Sequence, residues 1–209
     1  MTSAMAMDAS YDQTDLPYVL RAGVKLGLLQ CVLIAAFGLL QPRIAGTVEL
    51  IACGLILLAG IAATIVLPGL WTRARTIEGI AGAAGIGFTA AIVFLVVDVA
   101  LFQPIHLWTN RWLEIGGGSN WWYHPVWWMV GTYLTWMGAW IQANHTAKTG
   151  RPGPVALVLW TVLLAAVCLA VGVMLGVPNA AWGLGGFAVA TLPALALLTT
   201  ISLLGARRR

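Results

Sequence analysis

The chain has 209 residues, of which 60% are hydrophobic and 9% charged, with a formal net charge of +4. An ordinary soluble domain carries about 25% charged residues, so this composition excludes a water-soluble fold and points to lipid as the solvent. The basic residues lie mostly in short polar segments between apolar runs, which ties them to membrane orientation and excludes nucleic acid as a partner.

Residues 1–15 are polar and acidic, with Asp8, Asp12 and Asp15. This is the opposite of the basic start of a cleavable signal, and the stretch reads as a short disordered cytoplasmic tail. Asp15-Leu16-Pro17 then reads as a helix N-cap followed by a helix-starting proline. Residues 16–205 are expected to form a single transmembrane helical domain, and 206–209 a basic cytoplasmic tail.

Apolar runs cover about 20–41, 45–68, 80–102, 125–143, 155–177 and 182–204. Each is long enough for a hydrocarbon core of about 30 Å at about 1.5 Å per helical residue. None shows the period-2 alternation of a membrane barrel, and the backbone must satisfy its own hydrogen bonds in lipid. The expected fold class is an all-α integral membrane protein, a compact bundle of about six transmembrane helices. Pro68, at the end of the second run, and Pro193 are the only candidate breaks. Cys31, Cys53 and Cys168 fall inside apolar runs without metal-ligand spacing and read as small buried residues.

Small residues four apart let helix backbones approach closely. Gly79, Ala83 and Gly87 form such a stripe at the start of the third run, and Gly172 and Gly176 a second patch late in the fifth. Pro178-Asn179 marks a short turn, so the last two runs are expected to form an antiparallel hairpin.

The segment from Gln103 to Trp128 is the most distinctive, because eight of the eleven tryptophans lie between Trp108 and Trp140. Tryptophan favours the membrane interface, where an apolar ring meets water through its N–H. An interfacial belt with a short amphipathic helix at about 104–114 is one reading. The other is a docking surface for a partner or a flat ligand, built from Trp108, Trp112, Trp121, Trp122, Tyr123, Trp127 and Trp128. Gly116-Gly117-Gly118-Ser119 reads as a hinge between two aromatic halves; no GK[ST] follows, so it is no phosphate loop.

Carboxylates at membrane depth need partners. Arg43, Glu49, Asp98, Arg111 and Glu114 form an expected charge cluster on the outer side, with His106 and His124 as further partners. Asp98, His106 and His124 also form a weak candidate metal set, without a known metal spacing. His145, at the opposite end of the fourth run, is expected to cap carbonyls or meet headgroups, and an imidazole can also ligate a macrocycle metal. Met129, Tyr133, Trp136 and Trp140 share one helical face, and Trp136 and Trp140 would make a platform for a ring. The cofactor-binding candidates are therefore His106 and His124 for a pigment, haem or quinone held at the outer side, Trp136 and Trp140 as a ring platform, and His145 at the opposite end.

No nucleophile elbow, HExxH, Walker motif or CxxCH is present. Few ionisable residues lie at mid-depth, which disfavours a transporter. The leading expectation is a non-catalytic membrane subunit of a larger bioenergetic complex, respiratory or photosynthetic, whose partners are other transmembrane chains and lipids. The alternative is a haem-, pigment- or metal-binding redox subunit or enzyme, and a third class is a transporter or sensor.

Nine basic residues (Arg21, Lys25, Arg73, Arg75, Lys148, Arg151, Arg207, Arg208 and Arg209) fall on one side of a six-span arrangement, against Arg43 and Arg111 on the other. The positive-inside rule then puts both termini in the cytoplasm, with the chain in the plasma (inner) membrane. A cysteine placed at Ser119 is expected to react with an impermeant thiol reagent from outside intact cells, and one at Thr149 is not. The reverse pattern would refute the orientation, and equal labelling the number of crossings.

Overall fold

The computed structural model describes residues 13–107, 123–178 and 180–204. They form six long helices: α1 (Leu16–Leu40), α2 (Gly46–Trp71), α3 (Ile77–Val97), α4 (Tyr123–Thr149), α5 (Pro154–Met174) and α6 (Leu184–Leu204). A 3-10 turn over Gln41–Arg43 joins α1 to α2, and a π-helical turn over Asp98–Phe102 extends α3. Most of the acidic tail, the segment carrying Trp108, Arg111, Trp112, Glu114, Trp121 and Trp122, and the C-terminal arginines lie outside the described residues, as does the Tyr123 side chain.

Among the described residues, five helical stretches are long and apolar enough to cross a membrane: Leu16–Arg43, Gly46–Trp71, Ile77–Phe102, Pro154–Met174 and Leu184–Leu204. Their outward faces carry exposed large apolar side chains, among them Leu28, Val32, Leu55, Leu159, Leu163 and Leu197. So much contiguous apolar surface suits lipid rather than water. The chain is thus an α-helical protein with the helices of a multi-pass membrane protein. α4 is as long as the others and less apolar.

Local chemistry sets the helix ends. Asp15 caps α1 by accepting the Tyr18 N–H at 3.1 Å, with Pro17 in the first turn. The Thr76 hydroxyl accepts from the Gly79 N–H at the start of α3. α5 ends in a left-handed Gly176 at φ +66°; the Val177 N–H returns to the Gly172 carbonyl at 2.9 Å and the Gly176 N–H to Val173 at 3.2 Å. This double bond pattern is a helix terminator that glycine accepts without a Cβ penalty. It corrects the reading of Gly176 as a packing residue: an added Cβ there meets nothing within 4 Å. Gly172 does approach the chain beyond the turn, with Ala180 3.4 Å from its virtual Cβ.

α3 lies between α1 and α4. On one side Gly23 and Gly27 of α1 sit against Thr89, Ala90 and Val93. On the other, Gly79, Ala83 and Gly87 of α3 are buried; Ala83 packs with Ala139 and Ala143, and Gly87 leaves no room for a Cβ beside Gly131 and Thr135. α5 and α6 pair through Ala165, Leu169, Ala190 and Ala194.

α4 is the hub, touching α2, α3 and α6. A Cβ on Gly138 would collide with the Ile65 carbonyl of α2. The buried Gln142 amide donates to the Ile65 and Val66 carbonyls at 3.3 and 3.1 Å. Tyr133 donates to the Leu192 carbonyl of α6 at 2.7 Å, and Asn144 to the Ser202 hydroxyl at 2.8 Å. Pro68 was expected at a helix end, but α2 continues through it to Trp71. The turn it disturbs is covered by Gln142 of the neighbouring helix.

The elements run up and down. Gln13 N–H meets the Thr72 carbonyl and Tyr18 the Trp71 carbonyl, so α1 starts where α2 finishes. Asn144 and Lys148 of α4 meet Ser202 of α6 at that same near end, where Gln142 also reaches α2. Of the seven described Lys and Arg residues, six (Arg21, Lys25, Arg73, Arg75, Lys148 and Arg151) belong to the near half and Arg43 to the far end.

Gly138→Ala is expected to lower the thermal midpoint in detergent by the equivalent of about 1–3 kcal/mol, the usual range for overpacking. Gly185→Ala, whose added methyl meets nothing within 4 Å, should change little. Equal midpoints for the two variants would remove the α2–α4 contact from its central place.

Candidate functional site

The far end of the bundle holds a buried polar pair inside an aromatic cluster. α3 does not stop as a regular helix: the Gln103 N–H reaches the Asp98 carbonyl at 2.8 Å, five residues back. Pro104 follows and has no N–H with which to continue the helix. The widened turn brings the Gln103 side chain over Asp98, and its amide donates to Asp98 Oδ2 at 2.7 Å. Asp98 is fully buried. In a regular α-helix, residues five apart point about 140° away from each other, so this pair requires the π turn.

Around the pair, Cys31, Phe94, Leu95 and Phe102 form a buried cluster, with Ile34, Leu107 and Trp127 packed against it. Phe94 meets Trp127 at 5.6 Å and Phe102 at 6.5 Å between ring centroids, both with tilted planes. Leu107 lies against Gly38 of α1. The two ends of the tryptophan-rich segment, Leu107 before it and Trp127 after it, are therefore rooted in one cluster shared by α1, α3 and α4. Phe88 meets Trp128 edge-on at 6.1 Å.

Several expected site residues are placed elsewhere. Trp127 is half-buried and packs inward against the cluster, whereas Trp128 remains 39% exposed. Arg43 turns back to its own helix end and donates to the Leu39 carbonyl. Glu49 lies in the first turn of α2, where a negative charge suits the helix dipole. The described part of the expected charge cluster is thus divided, because each terminal group finds a local role. Gln103, absent from the expected set, is a hydrogen-bonded neighbour of Asp98.

His106 is exposed in a left-handed turn at φ +52°, while Asp98 is buried. His124 is half-buried at the start of α4. Among the described residues, no three His, Cys, Asp or Glu side chains come close enough to hold a metal ion. His145 is engaged in the α4–α5 turn: its Nδ1 lies 3.0 Å from the Arg151 carbonyl and 3.1 Å from the Thr149 hydroxyl. Its ring packs on Gly153, so it helps to hold the α4–α5 turn. Trp136 and Trp140 do pair, at 5.9 Å and 36°. Trp140 packs against the Ala74–Ala143 cluster while Tyr133 is drawn to α6, so the expected four-residue face is divided between neighbours.

Compared with protein-family models, characterised proteins and solved structures, the chain gives no match. The functional argument therefore rests on the arrangement itself.

Asp98→Leu is expected to reduce the yield of folded protein more than Glu78→Leu. The first removes the buried acceptor of the Gln103 amide, a loss of about 1–3 kcal/mol; Glu78 lies in the exposed first turn of α3. Indistinguishable yields of monodisperse protein would show that the buried pair does not hold the far end together.

Proposed function

We propose that the chain is a non-catalytic, six-span subunit of a larger bioenergetic complex in the inner membrane, and that its tryptophan-rich outer segment docks a partner chain or a flat cofactor. Both termini are cytoplasmic in this reading. The observation that carries it is the common root of the segment: Leu107 and Trp127 enter one buried cluster with Phe94 and Phe102. A loop held at both ends by a packed scaffold is the usual way a fold presents a binding surface.

Two further features support the reading. α4 falls short of the apolarity of its neighbours, yet its Gln142 and Thr135 are buried against them. The Gln142 amide donates to α2 and the Thr135 hydroxyl to its own helix, and polar donors engaged in this way are accommodated in lipid, which supports α4 as a sixth span. The six-to-one distribution of described basic residues supports a cytoplasmic near end.

The reading is tested by the double variant Trp121→Leu/Trp122→Leu, which keeps apolar bulk but removes both indole N–H donors. The expected result is a folded, monodisperse protein that no longer retains its partner chains or cofactor through purification, since a few aromatic anchors dominate docking surfaces. Retention of every co-purifying chain and chromophore would make the segment a membrane anchor and refute the docking role.

A further inference from the structure

A cleft of about 460 Å³ opens at the near end between the start of α1 and the end of α2, lined by Asp15, Tyr18, Arg21, Ala22, Lys25 and Trp71. Its acidic residue is already engaged, because Asp15 caps the Tyr18 N–H. Tyr18 is spent as a donor on the Trp71 carbonyl at 3.0 Å, which also fixes the two walls to each other. Arg21 uses only Nε internally, toward the Pro17 carbonyl at 3.0 Å. Its terminal guanidinium nitrogens, the Lys25 ammonium and the Trp71 indole N–H have no acceptor among the described residues.

Lys25 makes the arrangement unusual. It lies nine positions beyond the first residue of α1, about 14 Å along the axis at about 1.5 Å per residue. An ammonium that far along an apolar span must snorkel toward the interface or meet an anion there. Arg21 is one turn closer to the helix start on the same face, so the two cations converge on one side of α1. Beside them Leu20, Val24 and Leu28 form an exposed apolar stripe, at 45%, 42% and 50% exposure, that continues toward the membrane interior.

We infer that this cleft is a headgroup site for an anionic phospholipid. The phosphate is held by Arg21, Lys25 and the Trp71 indole, and an acyl chain lies along Leu20, Val24 and Leu28. Guanidinium and ammonium groups are the standard partners of phosphate, and an indole at the end of a span supplies a donor beside apolar surface. The apolar stripe distinguishes a lipid from free phosphate, which has no use for it. A cytoplasmic leaflet rich in anionic lipid would supply the ligand. The inference rests on the membrane-spanning character of α1 and α2 and is independent of what the outer segment docks.

The test uses the full chain in detergent, exposed to phosphatidylglycerol, phosphatidylcholine or inorganic phosphate, with adducts counted by native mass spectrometry. A retained phosphatidylglycerol adduct is expected, with little phosphatidylcholine and no displacement by a large excess of inorganic phosphate. Arg21→Gln/Lys25→Gln should weaken retention at least about tenfold, and Lys25→Arg should keep it. Arg73→Gln/Arg75→Gln removes the same charge at the same end outside the cleft and should leave retention intact. Displacement by inorganic phosphate would assign the site to the free anion, and an equal loss in the Arg73/Arg75 variant would reduce it to diffuse surface charge; either overturns the inference. If the cleft double variant does not fold, Lys25→Gln alone decides by the same outcomes.

Discussion

The bundle depends on the crossing of α2 and α4. Lipid is as apolar as leucine, so helices in a membrane gain little by hiding apolar surface from it; close backbone approach and interhelical hydrogen bonds must hold them. Gly138 brings α4 onto the Ile65 carbonyl, and one turn later the Gln142 amide reaches Ile65 and Val66. Pro68 lies just beyond that meeting. It has no N–H, so the Thr64 carbonyl four residues back loses its helical donor, and Gln142 reaches the next two carbonyls of the same turn. A proline within an apolar helix and a glutamine within its neighbour are each unfavourable alone. Together they form a specific contact.

The same logic extends along α4. Tyr133 and Asn144 reach α6, and Thr135 sits where Gly87 of α3 leaves room. The least apolar helix occupies the middle because only there do its polar side chains find partners. The more uniformly apolar α5 and α6 pair beside it and present their outer faces to the surroundings. Interhelical hydrogen bonds in membranes contribute about 0.6–2 kcal/mol each, so the hub gains from their number and from the small residues that permit close approach.

The two ends of the bundle differ in chemistry. The far end closes over a buried carboxylate, a π turn and tilted, packed aromatic rings, and the tryptophan-rich segment lies between two residues rooted there. The near end gathers six of the seven described basic residues and opens a cleft between α1 and α2. A membrane subunit with a partner on one face and anionic lipid on the other would show this division.

Composition and the spacing of apolar runs were enough to read an all-helical membrane architecture, because the requirement to satisfy the backbone in lipid leaves so few alternatives. The helix-starting Asp15-Leu16-Pro17 was legible for a similar reason, since capping is a matter of adjacent residues. The candidate site was legible only in outline. Asp98 stood out as a carboxylate in an apolar run, but its neighbour Gln103 did not, because residues five apart meet only through a π turn. Trp127 looked like its neighbours in the aromatic segment, yet Phe94 and Phe102 draw it inward. Gly176 had the spacing of a packing stripe and proved to be a helix terminator, which depends on the backbone beyond it. Gly23, Gly27 and Gly138 gave no sign of which partner they would meet. Short-range chemistry is written in neighbouring residues, whereas the choice of which helix faces which polar group is made by the packing of all six together, and that only the tertiary structure decided.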